Sequence, residues 1–458
     1  SITIILVMIL TSCNFQLTPQ AANNEMPSEE SAILENQDSP ATAATTPEPV
    51  NGSSEEATSE PTPEPTNEPE IAETGSVVEN SEPEKLGDVG PEDFPDGINP
   101  LTGLLAADPE LLNLPPGLVS ISNFPSSARP QAGLNASPIV FEMTVGEGMT
   151  RFLAMFYGQF PEKISGQTEG GTEDEDNNDG TAGSETGTAT ASQNLSIGPI
   201  RSGRLPYEDI RSLYTGFLVM ASAWEGVSAN LNQASSVYGS DSDDINSAMI
   251  DVEQLQQMAE TRSESFSGSN FNLDGMKFSQ SPPEGGQSAN WLWVFYSARN
   301  QVQWQYDPAM GAYIRYDIKT DGSSKYMMST DRLTGEPVTK ENVIVIFAEH
   351  DYRAPTLIDI DLLNNPPMKA LLFRDGEVHE IFWTTDFGEY EKTTGLAKPM
   401  RFVDADGKDV ALKHGQTWIS VVSLASYFAE SRISEQPFYP VVEEQGTGLW
   451  LVRYKGKY

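Results

Sequence analysis

Stretches with a regular apolar pattern alternate along the chain with stretches that have none. Residues 139–156 read as two strands. Ile139-Val140-Phe141 is a continuous apolar run, Gly146-Glu147-Gly148 supplies a turn, and residues 150–156 return as a second run, which predicts a β-hairpin. After Arg204 the period lengthens. Ile210, Leu213, Tyr214, Phe217 and Leu218 recur at helical spacing behind Pro206, and Glu208 and Asp209 fall where the first turn of a helix favours acids. A second helix is expected over residues 252–262. From Trp291 onward the pattern is mostly period two: "NWLWVFYSARNQVQWQYDPAMGAYIRY" alternates aromatic and polar residues and turns at "DPAMG". "NVIVIFAEH", "KALLFRDGEVHEIFW", "MRFVDADGKDVAL" and "GQTWISVVS" follow, with Asp375-Gly376 and Asp406-Gly407 as hairpin signals. The patterns predict an α+β, mixed α/β protein. An α/β domain over residues 91–282 precedes a mainly antiparallel β domain over residues 291–458.

The unpatterned stretches hold most of the charge. The chain has 458 residues and a formal net charge of -40. Residues 14–90 are rich in Pro, Glu, Ser and Thr, and Lys85 is their only base; such a composition buries too little apolar surface to offset chain entropy. A long disordered acidic tether is expected there. Residues 165–195 add seven acids and no base, which predicts a disordered insert in a surface loop of the first domain. The two tracts carry more than half of the net charge, so the folded part is only mildly acidic. That balance argues against a nucleic-acid partner, which needs a basic footprint.

The first residues point to a compartment. "SITIILVMILTSC", residues 1–13, is an apolar run too short to span a bilayer, and it ends in Leu10-Thr11-Ser12-Cys13. This is the lipobox pattern of a bacterial lipoprotein signal segment, in which Cys13 is acylated; the missing Met and basic leader suggest a chain that lacks its start. Cys13 is also the only cysteine, so no disulfide forms within the chain. The expected location is the extracytoplasmic face of the bacterial cell membrane, with the lipid on Cys13 as anchor.

Candidate chemistry is sparse. Arg201 and Arg204 in "IGPIRSGR" stand just before Pro206, where guanidiniums beside a helix start would make a pocket for a carboxylate, sulfate or phosphate. The alternative is that they pair with Glu142, Glu147 or Glu208, while Arg211 pairs with Glu208 at i to i+3. Glu142 and Glu147 have the residue types of a general acid and base, but on two sides of a turn they are more often structural. His350, His379 and His414 lack metal-ligand spacing, and Asp404, Asp406 and Asp409 fit a hairpin turn better than a calcium loop. There is no nucleophile elbow and no glycine-rich nucleotide loop, so no metal and no cofactor is expected.

Nine stretches carry a family resemblance. "INPLTGLLA" at 98–106, "ARPQAGL" at 128–134, "IVFE" at 139–142, "TRFLAMF" at 150–156 and "IGPIRSGR" at 197–204 resemble the N-terminal part of the YerB-like bacterial lipoproteins, a domain-of-unknown-function family (3048). "GAYIRY" at 311–316, "NVIVIF" at 342–347, "LFRDGEVHEIFW" at 372–383 and "GQTWISVV" at 415–422 resemble the C-terminal part. The resemblance implies a lipid anchor and a shared site built from Arg129, Arg151, Arg201, Arg204 and Glu142, together with Asn272. The chain departs from the family pattern in three places. Gly146-Glu147-Gly148 displaces an acid by one position, which on a strand would reverse its face; Asn270-Phe271-Asn272-Leu273 lacks a histidine; Ala223-Trp224-Glu225-Gly226 replaces a Gly-Gly-Ser stretch. The expected function is a membrane-anchored envelope protein that binds an anionic ligand or a protein partner: cell-wall glycan, a teichoic-acid-like polymer, or the face of an envelope protein. A hydrolase or transferase acting on envelope polymers through Glu142 or Glu147, and a structural assembly scaffold, stay open.

Overall fold

A computed structural model describes residues 87–161, 195–266, 272–323, 325–432 and 442–457. The signal segment with Cys13, nearly all of the acidic tether and residues 165–194 of the acidic insert lie outside the described residues. All described residues belong to one compact unit, Asn80–Tyr458.

The architecture is mostly β. Its centre is a twelve-stranded sheet whose principal strands are β1 (Gly117–Ser122), β2 (Ile139–Gly146), β3 (Met149–Phe156) and β4 (Phe217–Met220) from the first half of the sequence. A second, eight-stranded sheet is built on β5 (Trp291–Ser297), β6 (Asn300–Asp307) and β7 (Ala312–Ile318). The later strands β8 (Asn342–Ala354), β9 (Met368–Arg374), β10 (Glu377–Thr384) and β11 (Thr417–Ser423) return to the large sheet. β12 (Tyr427–Arg432) and β13 (Leu449–Arg453) complete the small one. The large sheet runs β10-β9-β8-β11-β2-β3-β1-β4, so strands from both halves of the sequence share it.

The seam is a parallel pair. β2 lies beside β11 with Glu142 opposite Ser420, and β11 in turn runs parallel to β8. β5 and β13 are parallel as well. Within residues 291–458 the pairing is mainly antiparallel, as in the β5-β6-β7 meander and the β9-β10 hairpin, and β5-β13 and β8-β11 are the parallel pairs. Period-two patterning cannot report strand direction, which is set by partners far away in sequence.

Burial explains why the two sheets read differently in sequence. Strands β2 and β11 are buried along their whole length, because one face of the large sheet packs on the small sheet and the other packs on helix and loop. Strands covered on both faces are continuously apolar. β5 has only one covered face, so its burial alternates residue by residue.

Two helices flank the large sheet. α1 (Tyr207–Leu213) buries Tyr207, Ile210 and Leu213 in one core, and α2 (Val252–Phe266) sends Leu255 and Ala259 into the other. α1 is shorter than its periodicity predicts. Thr215 takes a left-handed φ of 47°, Gly216 N–H bonds back to Arg211 O, and Phe217 and Leu218 leave as β4 to pair with β1. An apolar run that serves a helix and then a buried strand satisfies both periods over a few residues, and length alone separates them.

Candidate functional site

The segment of residues 197–204 is threaded between two strands of the large sheet. Arg201 N–H donates to Ser120 O on β1 at 2.8 Å, and Ala221 and Gly203 N–H groups tie the segment to the chain just after β4. The passage is close: a Cβ on Gly203 would stand 2.4 Å from Met220 Sδ and 2.8 Å from Leu231 Cδ1, so both side-chain ends would have to move aside for a larger residue. The segment thus has a fixed path, and Arg201 and Arg204 leave it at set positions.

Arg151 reaches the same place from β3. Its neighbours Thr150 and Phe152 face the small sheet, so by strand alternation Arg151 points to the opposite face, where its Nη1 donates to Ser202 O at 2.7 Å. Arg204 Nη1 donates to that same carbonyl at 3.4 Å and to Gly203 O at 2.9 Å. Arg201 Nη1 donates to Ile245 O at 3.2 Å. Arg151 and Arg204 thus share one backbone carbonyl while Arg201 takes another, and all three guanidiniums bond neutral backbone oxygens. Among the described residues none of the three forms an ion pair, and the Nε groups of Arg201 and Arg204 are buried without a hydrogen-bond partner.

Six other arginines, Arg129, Arg211, Arg315, Arg353, Arg374 and Arg432, each have an acidic partner, while Arg262, Arg299, Arg332, Arg401 and Arg453 form no ion pair among the described residues either. What sets Arg151, Arg201 and Arg204 apart is that they are partly or wholly buried and close enough to one another for their charges to interact. The missing counter-charge shows in the titration. Burial, with Arg204 and Arg201 alongside, pushes the Arg151 guanidinium down to about 10. Burial followed by the Arg204 charge lowers Arg201, and burial lowers Arg204. Beside Arg201 opens a cavity of about 340 Å³, bordered by Ser202, Tyr238, Asp241, Asp244 and Ser247 among others.

Glu142 and Arg129 are not part of this cluster. Glu142 stands on the other face of the sheet, fully buried between the two sheets. Its carboxylate accepts from Arg315 Nη1 at 2.9 Å, Thr150 Oγ1 at 2.7 Å and Trp418 Nε1 at 3.1 Å. Arg315 also bonds Asp317 at 3.1 Å, and Arg129 approaches Asp317 at 3.7 Å while donating to Asn123 Oδ1. Two acids and two arginines close a neutral network. Trp418, Phe152 and Trp304 surround the Arg315 guanidinium at 4.4, 5.0 and 5.5 Å. Burial alone would lower the pKa of Arg315, but Asp317 and Glu142 outweigh it and hold it above the ordinary value.

The remaining expected residues lie elsewhere. Glu147 is exposed at the tip of the β2-β3 turn with a φ of 54°, so it belongs to neither face of the sheet. Asn272 caps a turn by accepting from Asp274 N–H at 2.7 Å, and it bonds to neither arginine group. Arg211 pairs with Glu208 at 2.6 Å, as the i to i+3 spacing suggests. α1, with seven residues, is too short to serve as an anion site by its own dipole, so the guanidiniums carry the positive potential. Sequence reasoning missed Arg315 and Trp418 as partners of Glu142, and Asp317 as the second acid on Arg315, although a lone acid inside "IVFEMTV" and an Arg and an Asp inside "AYIRYDI" were the available signal. Among the described residues no group of three or more His, Cys, Asp or Glu could hold a metal, and no helix is long and apolar enough to cross a membrane.

A mostly β unit with a cluster of arginines beside its large sheet is thus the class of protein that the structure defines. Residues 101–166 match the family model of the DUF3048 N-terminal domain and residues 292–419 that of the DUF3048 C-terminal domain, both described as protein of unknown function. YerB of Bacillus subtilis (strain 168), a relative named as a lipoprotein, is 25% identical over 341 residues, covering 70% of this chain and 85% of its own length. The crystal structure of the Bacillus subtilis YerB protein matches with a TM-score of 0.48 at 23% identity, covering 71% of this chain and 97% of that one.

Proposed function

We propose that this chain is a lipid-anchored protein of the bacterial envelope, held to the extracytoplasmic face of the membrane through Cys13, whose folded unit binds an anionic ligand at Arg151, Arg201 and Arg204. The anchor rests on the Leu10-Thr11-Ser12-Cys13 pattern and on a relative that is named as a lipoprotein. The tether of residues 14–90 then lets the folded unit reach material away from the membrane. The observation that carries the binding reading is the convergence of three arginines with no acid in ion-pair range, beside an open cavity.

The physical reason is direct. Like charges brought together in a partly desolvated site repel, and a protein with a surplus of carboxylates could neutralise them from within. An arriving phosphate, sulfate or carboxylate supplies the missing counter-charge and removes the repulsion. The alternative with Glu142 as a catalytic acid or base gains nothing from the geometry, since Glu142 is fully buried and already bonded to Arg315, Thr150 and Trp418.

The test is retention of the full chain on purified cell-wall material, before and after removal of its phosphate polymers. Arg201→Ala plus Arg204→Ala is expected to weaken retention by at least about tenfold, the scale of lost charge-assisted hydrogen bonds. Unchanged retention by a correctly folded double variant overturns the reading.

A further inference from the structure

The cavity beside Arg201 is lined by charges of both signs: Arg201, and Asp241 and Asp244 on the loop that follows Tyr238. These opposite charges do not close on each other: neither aspartate is in ion-pair range of Arg201, and Arg201 bonds instead to the carbonyl of Ile245. Each aspartate uses one oxygen to hold the loop, Asp241 Oδ1 accepting from Asp243 N–H at 2.9 Å and Asp244 Oδ1 from Asn246 N–H at 2.8 Å. Ser247 Oγ bonds Asp241 O and so pins the loop across its base. The second oxygen of each carboxylate stays available. Tyr238, 77% exposed, stands at the rim as an apolar surface.

A cavity of about 340 Å³ lined by a cation and two carboxylates that form no ion pair with one another is complementary to a ligand that carries both signs. From this geometry we infer that the ligand is a zwitterion: a phosphate head held by Arg201, with an ammonium a few bonds away that faces Asp241 and Asp244. This inference rests on the anion-binding reading above and narrows it. A purely anionic polymer would meet the arginines and be repelled by the aspartates. An amine-bearing phosphate satisfies both signs, while the methylenes between its charges lie against Tyr238.

The experiment is calorimetric titration of the full chain with two small probes that share one anion, O-phosphoethanolamine and ethyl phosphate. Phosphoethanolamine is expected to bind about threefold more tightly, the scale of one solvent-exposed ion pair. Asp241→Asn plus Asp244→Asn keeps both loop-holding oxygens; it is expected to abolish the preference while ethyl phosphate binding persists or tightens, which also reports an intact fold. Equal or tighter binding of ethyl phosphate by the parent chain overturns the zwitterion inference and leaves the anion reading standing. Binding of neither probe overturns both. Vesicles containing phosphatidylethanolamine separate the possible sources of the ligand: co-sedimentation that the aspartate variant loses assigns a lipid headgroup, and phosphoethanolamine binding without co-sedimentation assigns a free or polymer-borne phosphate.

Discussion

Removing the Glu142 carboxylate should destabilise the fold severely without touching ligand binding. Glu142→Ala strips Arg315 of one of its two acids while leaving the guanidinium 1% exposed between the sheets. It also removes the acceptor for Trp418 Nε1 and for Thr150 Oγ1. Breaking a buried ion pair from one side costs about 3–5 kcal/mol, because the surviving charge stays desolvated. Against a typical total stability of about 5–15 kcal/mol, that is a third or more of what holds the native state. The assay is urea unfolding of the full chain followed by tryptophan fluorescence, since Trp304 and Trp418 are both fully buried around Arg315. Two further variants give the argument its internal control. Glu142→Gln keeps an acceptor and the shape, so its loss should be about half as large. Glu142→Leu with Arg315→Met removes both charges and should recover part of the loss, Asp317 retaining Arg129. A Glu142→Ala protein within about 1 kcal/mol of the parent would refute the network as a structural element, because that is the range of an exposed pair. Loss of anion binding with unchanged stability would instead place Glu142 in the site.

Other expectations follow from single groups. Burial pushes the His350 imidazole down to about 4, so the native state keeps it neutral while the unfolded chain takes up a proton near 6.5; stability should fall as pH drops from 6.5 toward 4, and His350→Phe should flatten that part of the urea-midpoint profile. The Lys340 ammonium is fully buried and donates to Leu134 O, Ser137 O and Gln416 Oε1, so Lys340→Met takes a donor from three acceptors and should lower stability by about 1–3 kcal/mol in thermal unfolding. Gly146 has a φ of 110°, and a Cβ there would stand 1.9 Å from Pro355 O; Gly146→Ala should therefore destabilise the turn by at least about 2 kcal/mol, whereas Glu147→Ala at the exposed tip should be silent in the same denaturation series.

Local pattern made the local elements legible. The β2-β3 hairpin, the β5-β6-β7 meander, the β9-β10 hairpin at Asp375-Gly376 and the start of α2 all follow from periodicity and turn chemistry in a short window. What could not be read is whatever depends on distant partners. β2 pairs with β11, nearly three hundred residues away by its Glu142–Ser420 register, and no window of sequence encodes that choice. The same limit split the candidate site. Glu142 and Arg151 are both buried charges in one hairpin, and both stand in motifs shared with the family resemblance. Strand alternation sends them to opposite faces, and only the register Met143 opposite Arg151 shows which side each occupies. Arg315, the true partner of Glu142, lies 173 residues further on. The arginine cluster was legible as a positive group in an acidic chain, but its defining property, the lack of any acid in ion-pair range, is a fact of three dimensions.

The central claim is that Arg151, Arg201 and Arg204 form an anion site, and the most direct measurement is a crystal structure of the full chain soaked with inorganic phosphate. The account predicts one phosphate within hydrogen-bond distance of at least two of these guanidiniums, with the Glu142–Arg315 network unchanged. Guanidiniums that stay empty at saturating phosphate, or that turn away to pair with acids of the same chain, would contradict it.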